Sequence, residues 1–247
     1  MPNSTTLDAL IGDSTESLVS VNDDGIRILI FNRPAVRNAL SYDLRQAYAR
    51  AIEQIESDDT IRVAILAGAG GHFCSGLDVK DHRANPGRPM FRPHPGEVTR
   101  AMKKPILAAV DGYCLTGGLE LALSCSFIIA TDLARFADTH AKIGGFPSWG
   151  LSALLPRAVG IRRARQMLMT GEMINADLAL EWGMINEVVS PSALLGRCLE
   201  LAHAIQRANQ DSIAAQLSLI AMNDGEPLRS ALLAEEEARQ SRDNHSS

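Results

Sequence analysis

The first part of the chain alternates between apolar runs of strand length and one segment of helical period. Residues 18–21 and 26–31 are apolar runs on either side of a polar, glycine-containing turn at 22–25, which predicts a β-hairpin. Ser41 is placed as a helix N-cap, because apolar residues recur at helical spacing from Leu44 to Ile55. The next apolar run, at 61–67, predicts a third strand.

The middle of the chain repeats a rhythm of strand, strand and helix. Apolar runs at 105–110, 127–130 and 135–137 predict strands, and an apolar, helix-forming segment follows the glycine pair Gly117-Gly118. From residue 161 onward the pattern is helical. Periodicity alone therefore predicts a mixed α/β fold.

Three segments are predicted to lie outside this repeating pattern. Residues 1–15 are polar and have no sustained period, so we expect a flexible N-terminal tail. Residues 86–95 are rich in Pro, Gly and Arg and predict a surface loop. Ser190-Pro191 is a helix-start signal, and residues 191–247 contain no convincing strand, so we expect a C-terminal helical region.

Two glycine-containing turns carry the candidate chemistry. In Gly112-Tyr-Cys-Leu-Thr-Gly117-Gly118-Leu-Glu120, a strand runs into a glycine pair and then into a helix whose first turn carries one acid. In Gly71-His-Phe-Cys-Ser-Gly76-Leu77-Asp78-Val-Lys80, a second turn follows the strand at 61–67. Such turns leave backbone N–H groups free to bind an oxyanion, although a glycine-rich helix start with a solvated glutamate is the alternative.

Together the two turns resemble those of the crotonase (enoyl-CoA hydratase/isomerase) superfamily. Further matches are Asn32-Arg33-Pro34…Asn38-Ala-Leu40 and Leu168-Met-Thr-Gly171…Gly183-Met-Ile-Asn-Glu-Val188, so the resemblance covers roughly residues 16–190. It implies a spiral of ββα units over residues 16–190, followed by C-terminal helices that cover the site or pack on a neighbouring subunit. It also implies a homotrimer or a dimer of trimers.

The resemblance assigns the oxyanion hole to the backbone N–H groups of Leu77 and Gly117. Glu120 matches the first of two glutamates that, in family hydratases, share one water, and His140 stands where the second is expected. An imidazole accepts a proton as a carboxylate does, so Glu120 with His140 is a credible acid/base pair. The alternative for His140 is a structural histidine bonded to a backbone carbonyl. Asp138 is a possible orienting group.

Eight further residues are candidates for contacts with substrate or coenzyme A. Arg33, Arg37 and Lys80 supply positive charge, although any one of them is more often a solvated surface charge. Phe146 and Trp149 are candidates for lining the acyl pocket, with core packing about equally expected. The remaining three lie within the two turns: Gly76, Asp78 and Gly118.

Composition limits the functional classes. The chain has 247 residues and a formal net charge of −5, which argues against a nucleic-acid or membrane-surface partner as the main role. The four cysteines have no metal-ligand spacing and suit reduced thiols, and no secretory signal or membrane-spanning run is recognised, so the cytosol is expected. We expect no metal, and no cofactor beyond the coenzyme A carried by the substrate.

The resemblance implies an enoyl-CoA hydratase-type lyase that adds water to an α,β-unsaturated acyl-CoA thioester. A double-bond isomerase is the second expectation, since it needs only one base and no activated water. Hydrolysis or decarboxylation of an acyl-CoA is the third. A non-catalytic acyl-CoA-binding subunit remains as an alternative of a different class.

Overall fold

The strands form two β-sheets of unequal size. The structure is a computed structural model, and it describes residues 6–89 and 92–226. Its strands are β1 (Leu18–Asp23), β2 (Ile26–Phe31), β3 (Val63–Gly68), β4 (Ile106–Val110), β5 (Tyr113–Leu115), β6 (Phe127–Thr131), β7 (Arg135–Ala137), β8 (Ile174–Asn175) and β9 (Glu187–Val189). The larger sheet has the order β1-β2-β3-β4-β6-β9 and is parallel except for the β1–β2 hairpin. The smaller sheet has the order β5-β7-β8.

Helices follow or connect the strands. They are α1 (Leu7–Ile11), α2 (Tyr42–Ser57), α3 (Val79–Ala84), α4 (Pro95–Arg100), α5 (Gly117–Ala122), α6 (Leu151–Val159), α7 (Ile161–Thr170), α8 (Ala176–Glu181), α9 (Leu194–Gln206) and α10 (Gln210–Asn223). No helix within residues 6–89 and 92–226 is long and apolar enough to cross a lipid bilayer.

The larger sheet is buried on both faces, which explains its continuous apolar runs. All six residues of β3 are buried, and the first five, residues 63–67, alternate between two apolar clusters on opposite faces. Leu66 packs in the cluster that contains the buried face of α2, whereas Ile65 packs in the cluster that contains α9. Ser41 accepts a hydrogen bond from Leu44 N and caps α2 as predicted.

The rhythm of two strands and a helix is confirmed in the middle of the chain. In the unit β4–β5–α5 the first strand joins the larger sheet and the second joins the smaller sheet. The unit β6–β7–α6 repeats this division, with β6 beside β4 and β7 beside β5. The repeat brings equivalent turns to one region of the molecule.

The structure differs from the sequence-based expectations at both ends. Within the expected flexible tail, Leu7–Ile11 forms α1, and Leu7, Leu10 and Ile11 pack against the α9 cluster. The segment after residue 161 is not wholly helical, because β8 and β9 extend the two sheets. Helix α9 buries its apolar face on the sheet of its own chain. The prediction for residues 227–247 lies outside the described residues.

Candidate active site

Adjacent parallel strands bring the two glycine-containing turns together. Strands β3 and β4 pair in parallel, so the segments that follow them leave the same edge of the sheet. Cys74 N then donates to Tyr113 O at 2.9 Å, and Leu115 N donates to Cys74 O at 2.9 Å. These hydrogen bonds hold the turns side by side although they are far apart in sequence.

The backbone N–H groups of Leu77 and Gly117 lie where the two turns pack against each other. A Cβ built on Gly76 would lie 3.1 Å from Gly117 N, so only a glycine allows this approach. Asp78 N donates to Leu40 O at 3.1 Å and Leu40 N donates to Gly76 O at 2.8 Å, which directs the intervening N–H of Leu77 away from Leu40. Neither N–H donates to an acceptor within residues 6–89 and 92–226. Two adjacent unpaired donors are the arrangement of an oxyanion hole.

Thr116 holds Gly117 in place through a strained backbone conformation. Its φ is 53° and its ψ is −114°, a region that a side chain disfavours by about 1–3 kcal/mol. Thr116 N donates to Ala137 O at 2.9 Å, and the Oγ1 atoms of Thr116 and Thr139 lie 2.6 Å apart. These contacts fix the residue that precedes helix α5 and thereby set the direction of the Gly117 N–H.

Glu120 is almost fully buried, with 1% of its surface exposed. Its Oε1 accepts hydrogen bonds from Trp149 N at 2.7 Å and Leu151 N at 3.2 Å, at the start of α6. Burial raises the pKa of Glu120, although these two N–H groups and His140 act in the opposite direction. Oε2 receives no hydrogen bond from any described residue and is not fully enclosed, so this oxygen remains available for proton transfer.

His140 and Asp138 form a hydrogen-bonded pair. His140 Nδ1 lies 2.6 Å from Asp138 Oδ1, and the Asp138 side chain is only 2% exposed. An ionised carboxylate only accepts hydrogen bonds, so Nδ1 carries a hydrogen, and a neutral His140 has its lone pair on Nε2. Nε2 has no partner among the residues described. The observed partner of His140 is thus the Asp138 carboxylate and not the backbone carbonyl of the alternative interpretation.

A mainly apolar cavity of about 300 Å³ connects His140 to the oxyanion turn. Glu120 does not line this cavity, and its low exposure places it deeper than the cavity wall. The lining residues are Ser75, Leu77, Val79, Thr116, Thr139, His140, Ile143, Gly144, Gly145 and Phe146. The cavity thus joins one predicted donor, one predicted proton-transfer group and an apolar wall.

Comparison with known proteins identifies the family. The family model described as "Enoyl-CoA hydratase/isomerase" matches residues 22–245. The chain belongs to the enoyl-CoA hydratase/isomerase family. It is 36% identical to the probable peroxisomal enoyl-CoA hydratase 1 of Arabidopsis thaliana over 224 residues, covering 85% of this chain and 80% of that protein. It is 33% identical to the crotonyl-CoA hydratase of Syntrophomonas wolfei, covering 85% and 82% of the two chains.

A solved structure supports the same conclusion. The crystal structure of an enoyl-CoA hydratase from Mycobacterium avium superposes with a TM-score of 0.77 at 40% identity, covering 94% of this chain and 99% of that one. The predicted crotonase-like α/β fold is therefore confirmed, as is the prediction that the chain is an enzyme of the crotonase superfamily.

The basic and acidic candidates for coenzyme A binding are distributed over the surface beside the site. Arg33 forms an ion pair with Asp78 at 3.0 Å, and Asp78 also caps α3 by accepting from Asp81 N. Both side chains therefore brace the turn at residues 71–80. The guanidinium of Arg37 lies 5.2 Å from the centre of the Tyr113 ring, and Lys80 is exposed on α3. These two cations remain candidates for the nucleotide part of coenzyme A.

Phe146 and Trp149 have different positions although they are close in sequence. Phe146 lines the cavity and is 70% exposed, so it remains a candidate for lining the acyl pocket. Trp149 is 2% exposed and belongs to the apolar core. A Cβ on Gly117 would lie 2.7 Å from Trp149 Cζ3, so the indole supports the oxyanion turn from behind. Gly118 packs similarly closely against Cys74 O.

Seven of the ten residues that line the cavity were not candidates from the sequence, among them Thr116 and Thr139. Neither is charged and neither belongs to a recognised acid/base pattern. The available signal was a β-branched residue directly before Gly117-Gly118, where the tight turn favours glycine.

Proposed function

We propose that this enzyme adds water across the α,β double bond of an acyl-CoA thioester and thereby acts as an enoyl-CoA hydratase-type lyase. The observation that carries the proposal is a cavity lined by the unpaired Leu77 donor and by His140, with the second donor, Gly117, directly after the lining residue Thr116 and with Glu120 buried on the first turn of the same helix. The names of the related hydratases support the same reaction.

The unpaired N–H groups of Leu77 and Gly117 bind the thioester oxygen. Addition of water at Cβ moves the π electrons toward the thioester, so negative charge develops on that oxygen in the enolate. Donors that are fixed before the reaction stabilise this charge without reorganisation, and removing one typically costs roughly 100- to 1000-fold in rate. Close packing of Gly76, Gly117 and Trp149 provides the required rigidity.

Glu120 and His140 exchange the protons. In the active state the pair carries one proton, while Glu120 Oε2 and His140 Nε2 share the attacking water. The unprotonated member removes a proton from water as the Cβ–O bond forms, and the protonated member gives its proton to Cα. Glu120 and His140 interact electrostatically, as the effect of His140 on the Glu120 pKa indicates. The net result is the addition of one water molecule, with no oxidation or reduction.

Two features favour hydration over double-bond isomerisation. An isomerase needs one base that moves a proton between two carbons, whereas this site has a buried carboxyl group and a separate His–Asp pair. In an isomerisation in which Glu120 alone moves the proton, the bond from Asp138 to His140 would have no catalytic function.

The remaining expectations become part of the same proposal. The enzyme needs no cofactor besides the coenzyme A of its substrate, because enolate chemistry on a thioester requires only hydrogen bonds and proton transfer. We also propose assembly into a homotrimer or a dimer of trimers. Exposed apolar residues on α10, namely Ile220 and Met222 at 69% and 64% exposure, support a further packing partner for this helix.

Crotonyl-CoA tests the proposal directly. Incubation with the enzyme should abolish the ultraviolet absorbance of the conjugated thioester and yield 3-hydroxybutyryl-CoA. An isomerase leaves this substrate unchanged. If no enoyl-CoA in a series of short, branched and aromatic acyl chains gains water, the proposal is wrong.

A further inference from the structure

The hydroxyl pair Thr116–Thr139 lies in the cavity, and apart from fixing the Gly117 turn it has no role in the mechanism above. The two Oγ1 atoms lie 2.6 Å apart, and Thr139 N donates to Thr116 Oγ1 at 3.3 Å. Both residues line the cavity together with His140 and Leu77. Thr116 precedes the Gly117 donor and Thr139 precedes His140, so the pair spans the space between the two halves of the site.

The Thr116–Thr139 pair has hydrogen-bonding capacity that its own contacts do not use. Two hydroxyl groups have two hydrogens and four lone pairs. Their mutual bond uses one hydrogen and one lone pair, and Thr139 N–H uses a second lone pair. Whichever threonine donates, one hydroxyl hydrogen and two lone pairs have no partner among the described residues. The pair can therefore bind a water molecule in either orientation.

The attacking water needs such a third partner. Glu120 and His140 together carry one proton. The protonated one therefore donates one hydrogen bond to the water, and the unprotonated one accepts one hydrogen bond from it. One lone pair of the water must point at Cβ. The second hydrogen of the water then needs another acceptor. Glu120 Oε1 already accepts from Trp149 N and Leu151 N, and His140 Nδ1 is already bonded to Asp138.

We propose that the Thr116–Thr139 hydroxyl pair accepts the second hydrogen of the attacking water and thereby directs its lone pair at Cβ. The strained backbone of Thr116 fits this role. A glycine would adopt its positive φ without cost, but it would lack the hydroxyl group. This inference rests on the proposed hydration reaction.

Two variants separate this role from a structural one. Thr139→Val keeps the shape but removes a hydroxyl, and we expect kcat for crotonyl-CoA hydration to fall about 10- to 100-fold with KM within about threefold. Thr139→Ser should recover most of kcat. Thr116→Gly removes a hydroxyl and the backbone strain together, so kcat should fall while the melting temperature stays equal or rises.

The control is Thr131→Val, which removes a buried hydroxyl that bonds Asp111 outside the cavity. We expect it to lower the melting temperature while kcat stays within about threefold. The spectrum of a bound aryl-enoyl-CoA is a second readout, because a polarised thioester carbonyl shifts its absorbance to longer wavelength. Thr139→Val should keep the wild-type shift.

The proposal is overturned if Thr139→Val and Thr116→Gly keep wild-type kcat. It is also overturned if kcat falls together with loss of the spectral shift, because the pair is then only part of the framework of the oxyanion hole. Failure of the wild-type enzyme to hydrate any enoyl-CoA would instead overturn the proposed function itself.

Discussion

Glu120→Gln separates the chemical role of this residue from its structural role. The amide oxygen can take the place of Oε1 and accept the same two hydrogen bonds, from Trp149 N at 2.7 Å and Leu151 N at 3.2 Å. The amide nitrogen replaces Oε2 and can neither give up nor accept a proton at neutral pH. General acid–base catalysis contributes roughly 100- to 10,000-fold, so kcat should fall by about that factor.

The free energy of unfolding of Glu120→Gln should not be lower than that of the wild type. Burial raises the pKa of Glu120, so the folded state disfavours the ionised carboxylate. Wild-type stability therefore decreases as pH rises from the unfolded pKa, about 4.3, through the raised folded pKa. Glu120→Gln lacks this titration, and its free energy of unfolding should increase relative to wild type across that pH window.

Glu120→Ala is the contrasting variant. It leaves two buried backbone N–H groups at the start of α6 without partners, at about 1–3 kcal/mol each, or about 2–6 kcal/mol together. Denaturant unfolding measures the free energy of unfolding of both variants, and the loss of crotonyl-CoA absorbance measures their activity. Wild-type activity in Glu120→Gln would refute the catalytic role, and a loss of stability equal to that of Glu120→Ala would refute the assigned hydrogen bonds.

Three further predictions concern the rest of the site. In the pH profile of kcat/KM, the pKa of the acid limb should lie above the ordinary pKa of a glutamate, because burial raises the pKa of Glu120. Activity should rise with pH through this limb, and an acid limb near about pH 4.3 would contradict the assignment. Asp138→Asn should lower kcat by about tenfold or more, because the amide oxygen that replaces Oδ1 carries no charge to stabilise the protonated His140, and unchanged kcat would show that the Asp138 carboxylate is not needed. Leu77→Pro deletes one oxyanion donor and should lower kcat roughly 100- to 1000-fold, whereas Leu77→Ala keeps the N–H, and its kcat should stay within about tenfold of wild type. Equal losses of kcat in the two variants, both with native circular dichroism, would contradict the assignment of Leu77 N to the oxyanion hole.

Local signals in the sequence were sufficient where one residue determines the local structure. Ser41 caps α2 as its position before a helical apolar pattern predicts, and the turn at 22–25 closes the β1–β2 hairpin. The resemblance of the two glycine-containing turns to a known family supplied the candidate donors and Glu120. The structure shows why positions 76 and 117 hold glycine, since Gly76 has a φ of 96° and a Cβ on Gly117 would lie 2.7 Å from Trp149 Cζ3.

Features that depend on tertiary contacts could not be predicted. Strand β9 has only three residues and exists because β6 offers a free edge. Helix α1 is five residues long, and packing against the α9 cluster stabilises it. The burial of Trp149, three residues after the exposed Phe146, depends on the position of α5. Sequence spacing alone could not distinguish the two aromatic residues.

The pairing of His140 with Asp138 shows a similar limit. Two residues apart on a strand, their side chains would share a face, but at a bend either one would turn away. The structure forms the bond because the chain bends directly after β7, where His140 N also donates to Asp138 Oδ1 at 3.1 Å. The threonine pair was missed for the same reason, since Thr116 and Thr139 meet only through the pairing of β5 with β7.

The most direct test of the account is a crystal structure of the enzyme with a bound, unreactive acyl-CoA. We expect the thioester oxygen to lie about 2.7–3.1 Å from both Leu77 N and Gly117 N, with Cβ facing the side of the cavity that holds His140. A thioester oxygen outside hydrogen-bonding distance of these two nitrogen atoms would contradict the central claim.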